Sequence, residues 1–115
     1  MDEFVYKILT PPAWEAFRET GAFTGSADDK RDGFIHLSTK AQMQGTLDKH
    51  YKAVSKVIIA EFEAAKMGAA LKYEISRGGA AFPHLYGPLE LAHMTQFWLL
   101  SAGPQGGYAV ADILG

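Results

Sequence analysis

The sequence predicts an α+β fold: one small domain over residues 1–115, with a mostly antiparallel or mixed β-sheet and two helices in its N-terminal half. Three observations carry this. The length of 115 residues fits a single domain, and a chain of that size buries roughly two-thirds of the surface its unfolded form exposes. The composition is globular, 48% apolar and 21% charged. Helix start signals lie in the first half, whereas alternating and β-branched runs dominate the second.

Phe4–Leu9 reads as the first strand, because Phe4, Tyr6 and Ile8 alternate with Val5 and Lys7. Thr10 before Pro11 and Pro12 starts a helix: a hydroxyl suits the N-cap, and proline in the first turn lacks only an N–H that would have no partner there. Trp14 and Phe17 share one face of that helix, and Gly21 ends it. Residues 21–31, rich in Gly, Ser and Asp, read as loop. Residues 33–37 are a short apolar run and read as a buried strand. Ser38 or Thr39 then caps a second helix reaching about Tyr51, with Met43 and Leu47 at apolar spacing.

Residues 55–62 carry the clearest strand signal, with Val57, Ile58 and Ile59 β-branched in a row. Residues 71–75 read as another strand and residues 77–87 as a long loop with Gly and Pro. Residues 89–94 fit helix or strand equally. Residues 96–101 read as a strand with Trp98 in the core, 103–107 as a turn and 108–113 as a final strand.

Several function classes are excluded or disfavoured. The chain has no cysteine, so disulfides, Cys-ligated zinc and a thiol nucleophile are out. The opening MDEFVYKIL carries acid where a signal peptide carries base, and no stretch reaches the ~20 apolar residues of a membrane helix. A cytoplasmic protein without membrane association is the expectation. A net charge of −2 disfavours general nucleic-acid binding. Every Lys and Arg lies between Lys7 and Arg77, which leaves room for a local anion site. P-loop, Rossmann and nucleophile-elbow glycine patterns are absent. The acids Asp28, Asp29 and Asp32 lack EF-hand spacing, and His84 and His93 lack a standard metal spacing, so no metal is expected.

Two segments concentrate chemistry. In Asp32-Gly33-Phe34-Ile35-His36-Leu37-Ser38-Thr39, a two-residue period puts Phe34, His36 and Ser38 on one face and Ile35 and Leu37 on the other. His36 then ends a strand that feeds a helix, where unpaired N–H groups attract anions such as phosphate. Ser38 and Thr39 add hydroxyl donors at that point. The plain alternative makes Ser38 or Thr39 an N-cap and His36 a hydrogen-bonded core histidine.

The second segment, Phe82-Pro83-His84-Leu85-Tyr86-Gly87-Pro88, follows Ser76-Arg77-Gly78-Gly79. An aromatic-rich loop between rigid elements makes a pocket wall, with Arg77 as a fork for phosphate or carboxylate. Packing of Phe82, Leu85 and Tyr86 onto the core is compatible with that role. Glu74, between Tyr73 and Ile75, is either a catalytic acid or a solvated one.

YKI near the start, a Trp-containing first helix, DGFIHLST followed by Gln42, and FPHLYG together resemble the bacterial domain-of-unknown-function family 952 over nearly the whole chain. More distantly, strand, helix, loop and a strand ending His36-Leu37-Ser38 resemble the start of the ADP-ribosyltransferase-like domain. The nearest type is the NAD-using RNA 2′-phosphotransferases. That resemblance implies the fold and, as activity, transfer chemistry on NAD or a phosphorylated nucleotide end. It implies His36 and Ser38 on ribose or phosphate, Arg77 on phosphate, Tyr86 stacked on nicotinamide and Glu74 as charge-stabilising carboxylate. The pattern departs at Tyr6-Lys7-Ile8-Leu9-Thr10, where Lys7 stands in place of a histidine that grips the NAD ribose.

The candidates are therefore His36, His84 and Glu74 for catalysis, and Lys7, Ser38, Thr39, Arg77 and Tyr86 for ligand binding. A non-catalytic nucleotide or small-molecule binding module on the same fold is the alternative. Catalysis requires His36 and His84 to face one cleft. Binding requires an aromatic wall with a cationic edge from Arg77 or Lys7.

Overall fold

The computed structural model describes residues 3–104 and 106–114, without the side chain of Arg77. Strands β1 (Phe4–Leu9), β4 (Lys56–Glu63) and β8 (Met94–Ser101) form one antiparallel sheet in the order β1-β4-β8. Strands β3 (Ile35–His36), β6 (Ala81–Leu85) and β5 (Leu71–Ile75) form a second antiparallel sheet, in the order β3-β6-β5. A short pair joins β2 (Ala22–Phe23) to β7 (Leu89–Glu90). Helices α1 (Pro11–Thr20), α2 (Ala27–Asp32), α3 (Met43–His50) and α4 (Ala111–Leu114) complete an α+β fold.

The β1-β4-β8 sheet is the middle layer. One face, with Val5, Leu9, Ile58, Ala60 and Phe62, packs against Trp14 and Phe17 of α1 and against Ile35, Leu37 and Leu85 beneath the second sheet. The other, with Tyr6, Ile8, Val57 and Ile59, packs against Met43 and Leu47 of α3 and the C-terminal Tyr108 and Val110. Burial on both faces explains why β4 is a continuous apolar run and not an alternating one. Reciprocal backbone bonds of 2.9 Å between Tyr6 and Ser38 tie the two sheets together.

Strands β1, β4, β5 and β8 and helices α1 and α3 match their sequence signals. Gly21 closes α1 at φ 81°, a left-handed geometry that glycine adopts without a Cβ clash. Five segments differ. Residues 21–31, expected as loop, contain β2 and the six-residue α2, which is held by a Ser26/Asp29 capping box. The strand expected over residues 33–37 shrinks to Ile35–His36, because Gly33 is the left-handed cap of α2 at φ 87°.

Residues 77–87 hold a true strand, β6, in place of a continuous loop. Pro83 disguised it, because proline rarely sits inside a sheet. It is tolerated because β3 has already ended opposite it. Leu37 N–H donates to the Pro83 carbonyl at 3.0 Å, and only the return bond is missing. Residues 89–94 resolve into β7 and a 3₁₀ turn over Leu91–His93. The final strand expected over residues 108–113 is a buried Tyr108 and Val110 leading into α4. Trp98 is half-buried against the α3-side core, as its apolar flanks required.

Thr39 caps the 3₁₀ turn over Lys40–Gln42 that leads into α3. Gln42 N–H donates to Thr39 Oγ1 at 3.3 Å, and Thr39 N–H donates to Gln42 Oε1 at 3.1 Å. Gln42 Nε2 also donates to the Ala81 carbonyl at 2.7 Å, fastening the front of α3 to β6. Thr39→Ala is expected to cost about 1 kcal/mol and Thr39→Ser much less. A thermal melt of both variants checks this, and equal losses would assign the effect to packing of the methyl group.

Candidate functional site

The β3-β6-β5 sheet has an apolar underside and a chemically rich outer face. Register pairs His36 with His84 and His84 with Lys72, so the three stand in one row. Glu74 shares that face, two residues along from Lys72. The His36 and His84 rings lie 5.7 Å apart, edge to face. Phe34 stacks on His84 at 4.0 Å and 23°, and Tyr86 closes the aromatic group 5.4 Å from Phe34.

Glu74 is fixed by two donors. His84 Nδ1 lies 2.8 Å from Glu74 Oε1, and the Tyr86 hydroxyl donates to the same oxygen at 2.8 Å. An ionised carboxylate only accepts, so the imidazole N–H is the donor. Hydrogen bonds from His84 and then Tyr86 hold the Glu74 carboxyl below the usual range. The shared proton in turn pushes the Tyr86 hydroxyl up, the Glu74 acceptor being the main cause. The His84 side chain is 6% exposed and that of Glu74 39%, so a buried ring aims a solvent-facing anion.

His36 is held from below. Asp29 Oδ1 lies 2.6 Å from His36 Nδ1 and accepts the His36 backbone N–H at 3.0 Å, while Asp32 Oδ2 lies 2.9 Å from His36 Nε2. Each ring nitrogen of His36 thus faces a carboxylate oxygen, and the two contacts fix the orientation of the ring.

Lys7 lies beneath this arrangement. Its ammonium meets Asp29 Oδ2 at 3.1 Å and the His36 carbonyl at 3.0 Å, with both side chains almost fully enclosed. Burial pushes the Lys7 ammonium below its ordinary value, more than Asp29 pulls it up. Burial also opposes ionisation of Asp29. The Lys7 ammonium and hydrogen bonds from His36 and Ser26 outweigh it and hold that carboxyl below the usual range.

The structure therefore brings His36, His84, Glu74 and Tyr86 onto one surface. Lys7 lies under that surface and offers no cationic edge. The Ser38 hydroxyl is 3.3 Å from that of Thr46, and the Thr39 oxygen caps the turn before α3, so both hydroxyls point into the fold. The expected role of Arg77 concerns a side chain outside the described residues. Among the described side chains, Lys72 brings a cation to this face, 5.4 Å over the Tyr86 ring. Phe34, placed by its period on the His36 face, and Asp29 and Asp32, weighed only as a calcium cluster, were not among the candidate site residues. Ser26-x-x-Asp29 is a capping-box spacing, and that was the available signal for Asp29.

The histidine face is partly exposed, with the His36 side chain 37% and that of Glu74 39% accessible. Hollows of about 350 Å³ beside Asp48, Tyr108 and Asp112, and of about 200 Å³ beside Phe62, Leu85 and His93, lie away from it. Neither hollow carries a set of oriented polar groups comparable to that of the histidine face. Among the described residues no group of three His, Asp or Glu is arranged to hold a metal ion.

A small α+β domain with a paired-histidine, aromatic and acidic sheet face is what fold and site define. The chain belongs to the family described as "Protein of unknown function (DUF952)", whose pattern matches residues 8–97. It is similar to protein CC0527 from Caulobacter crescentus, whose crystal structure matches with TM-score 0.90 and 41% identity over 95% of this chain and 96% of that one. The solution NMR structure of CC0527 matches with TM-score 0.88 and 41% identity, over 98% and 97% of the two chains. No functionally curated protein matches the chain. No helix among the described residues is long and apolar enough to cross a membrane.

Proposed function

We propose that the outer face of the β3-β6-β5 sheet binds a nucleotide-type small molecule through a flat cationic ring, with the pyridinium of NAD as the fitting case. The observation that carries this is Glu74, an ionised carboxylate aimed by His84 and Tyr86 beside the aromatic faces of Phe34 and Tyr86. A fixed anion next to π-faces favours a planar cation over a neutral ring. Lys72, which lies over the Tyr86 ring, supplies a cation for a phosphate on the same ligand and leaves the Phe34 side for the flat ring. A partly exposed face predicts modest affinity, because little of the ligand loses contact with water.

The favoured form of the reading is a binding module without chemistry. Lys7 replaces the ribose-gripping histidine that the resemblance calls for, and it is committed to Asp29. A second reading, ADP-ribosyl transfer from NAD, draws support from Glu74, because loss of nicotinamide develops positive charge on ribose and an oriented carboxylate stabilises it.

Amide NMR titration tests both. NAD is expected to shift residues 34–36, 72–74 and 84–86, and ADP-ribose, which lacks the pyridinium, to shift them less. Glu74→Gln keeps the shape and removes the charge, and is expected to weaken NAD binding about tenfold, or ~1.4 kcal/mol. Absence of shifts at millimolar NAD would sink the proposal. Nicotinamide released on incubation with NAD, and lost in Glu74→Gln, would move the assignment to the second reading.

A further inference from the structure

We infer that the outer edge of β8 is a self-association surface, pairing antiparallel with β8 of a second copy of this chain. The sheet order β1-β4-β8 leaves that edge without a strand partner among the described residues. A free edge presents a ladder of N–H and C=O groups ready to pair, and monomeric proteins usually guard it with Lys, Pro or a bulge. Met94–Ser101, with sequence MTQFWLLS, has no charge, no proline and no glycine. Its only irregularity is a register shift opposite Glu61/Phe62, at its start. Phe97 is 49% exposed and Leu99 60%, and both lie on one side of the strand. Trp14 of α1, itself buried, packs against Phe97 at 4.5 Å and backs that ring from the α1 side.

The pattern of the strand points to a second copy as the occupant. A two-fold axis through Trp98 sets Phe97 against Leu99 of the other copy, and Leu99 against its Phe97. Residues directly opposite in an antiparallel pair share a face, so the exposed apolar side chains cover each other twice. Thr95 lies at the register shift with its hydroxyl donating to Glu61 Oε1 at 2.6 Å, so the pairing runs over residues 96–100. No like charges meet, because the strand carries none. Centring the axis on Phe97 would instead set Leu99 against Thr95. The product is a continuous six-stranded sheet. Strand pairing alone makes an interface at the small end of stable ones, so the dimer is expected in the micromolar-to-millimolar range.

Sedimentation across that range tests the inference. The expected result is a shift from 12.5 kDa toward twice that mass as concentration rises. Leu99→Lys puts a lysine opposite Phe97 twice per dimer and is expected to weaken association at least about tenfold. Its thermal melt at low concentration should be unchanged, because the side chain is surface-exposed. Phe97→Lys is a second variant with the same expected loss of association, though it also removes the ring contact with Trp14 and should melt somewhat lower. A monomer throughout the range would overturn the inference and leave the edge to an extended segment of another protein. A dimer that both variants leave intact would overturn it as well.

Discussion

Asp29→Asn is expected to cost about 3–5 kcal/mol of folding stability, the usual loss when one partner of a buried ion pair is removed. The Asp29 side chain is 2% exposed and that of Lys7 8%. Four donors converge on the carboxylate: Lys7 Nζ, the His36 backbone N–H, His36 Nδ1 and the Ser26 backbone N–H. Asparagine keeps one acceptor and turns an amide toward the rest. Lys7 would then be a buried cation without a counter-charge, held by neutral acceptors such as the His36 carbonyl, and burial already disfavours its charged form. Lys7→Met should cost less, because Asp29 retains its neighbours in α2 and β3. Urea denaturation of both variants checks the order, and a loss under 1 kcal/mol for Asp29→Asn would contradict the role assigned to the pair.

The acid limb gives an independent readout. Folding holds the Asp29 carboxyl below its ordinary value near 4, so the unfolded chain binds the extra proton as pH falls. The contribution is complete above about pH 4 and is lost as pH drops through the folded value. Lys7 has the same slope from the basic side. Its folded value lies below 10.5, so between the two values the unfolded chain holds more protons and stability rises with pH. Asp29→Asn should flatten the acid limb and extend the basic one to lower pH, because Asp29 is what pulls the Lys7 value back up.

The same aspartate shows where sequence reading ended. Strand and helix periods were legible at β1, α1, α3, β4 and β8 because propensity, turn chemistry and burial agreed there. The DGFIHLST and FPHLYG segments were legible as one site because both are dense in His, aromatic and hydroxyl side chains. Their cross-strand meeting at His36 and His84 depends on β6, which Pro83 concealed. The commitment of Lys7 was not legible. A lysine in an alternating strand reads as solvent-facing, and only the placement of α2 over β1 makes it a buried cation. Apart from the capping-box spacing of Asp29 from Ser26, nothing in the sequence separates Asp29 from Asp28 and Asp32. Burial singles out Asp29, and burial is a property of the packed layers.

Phe62→Ala is the second large effect, about 3–5 kcal/mol, from lost transfer energy and the cavity left behind. Phe62 is 0% exposed, lies 6.2 Å from the Phe17 ring and sits in the core that also holds Ile35, Leu37 and Leu85. It therefore fills the space between the middle sheet, α1 and the underside of the histidine face. It also lines the hollow of about 200 Å³ beside His93, so water can enter the vacated volume and hold the cost toward the lower end. If the layers unfold as one unit, urea midpoints from a Trp98 signal and from His84 and His36 resonances should fall together, with the denaturant slope unchanged. Residual binding by the folded fraction should be unaltered, because Phe62 reaches the site only through the sheet. Separate midpoints would show that the histidine sheet unfolds on its own, and the aim of Glu74 would then rest on local contacts rather than on the core beneath it.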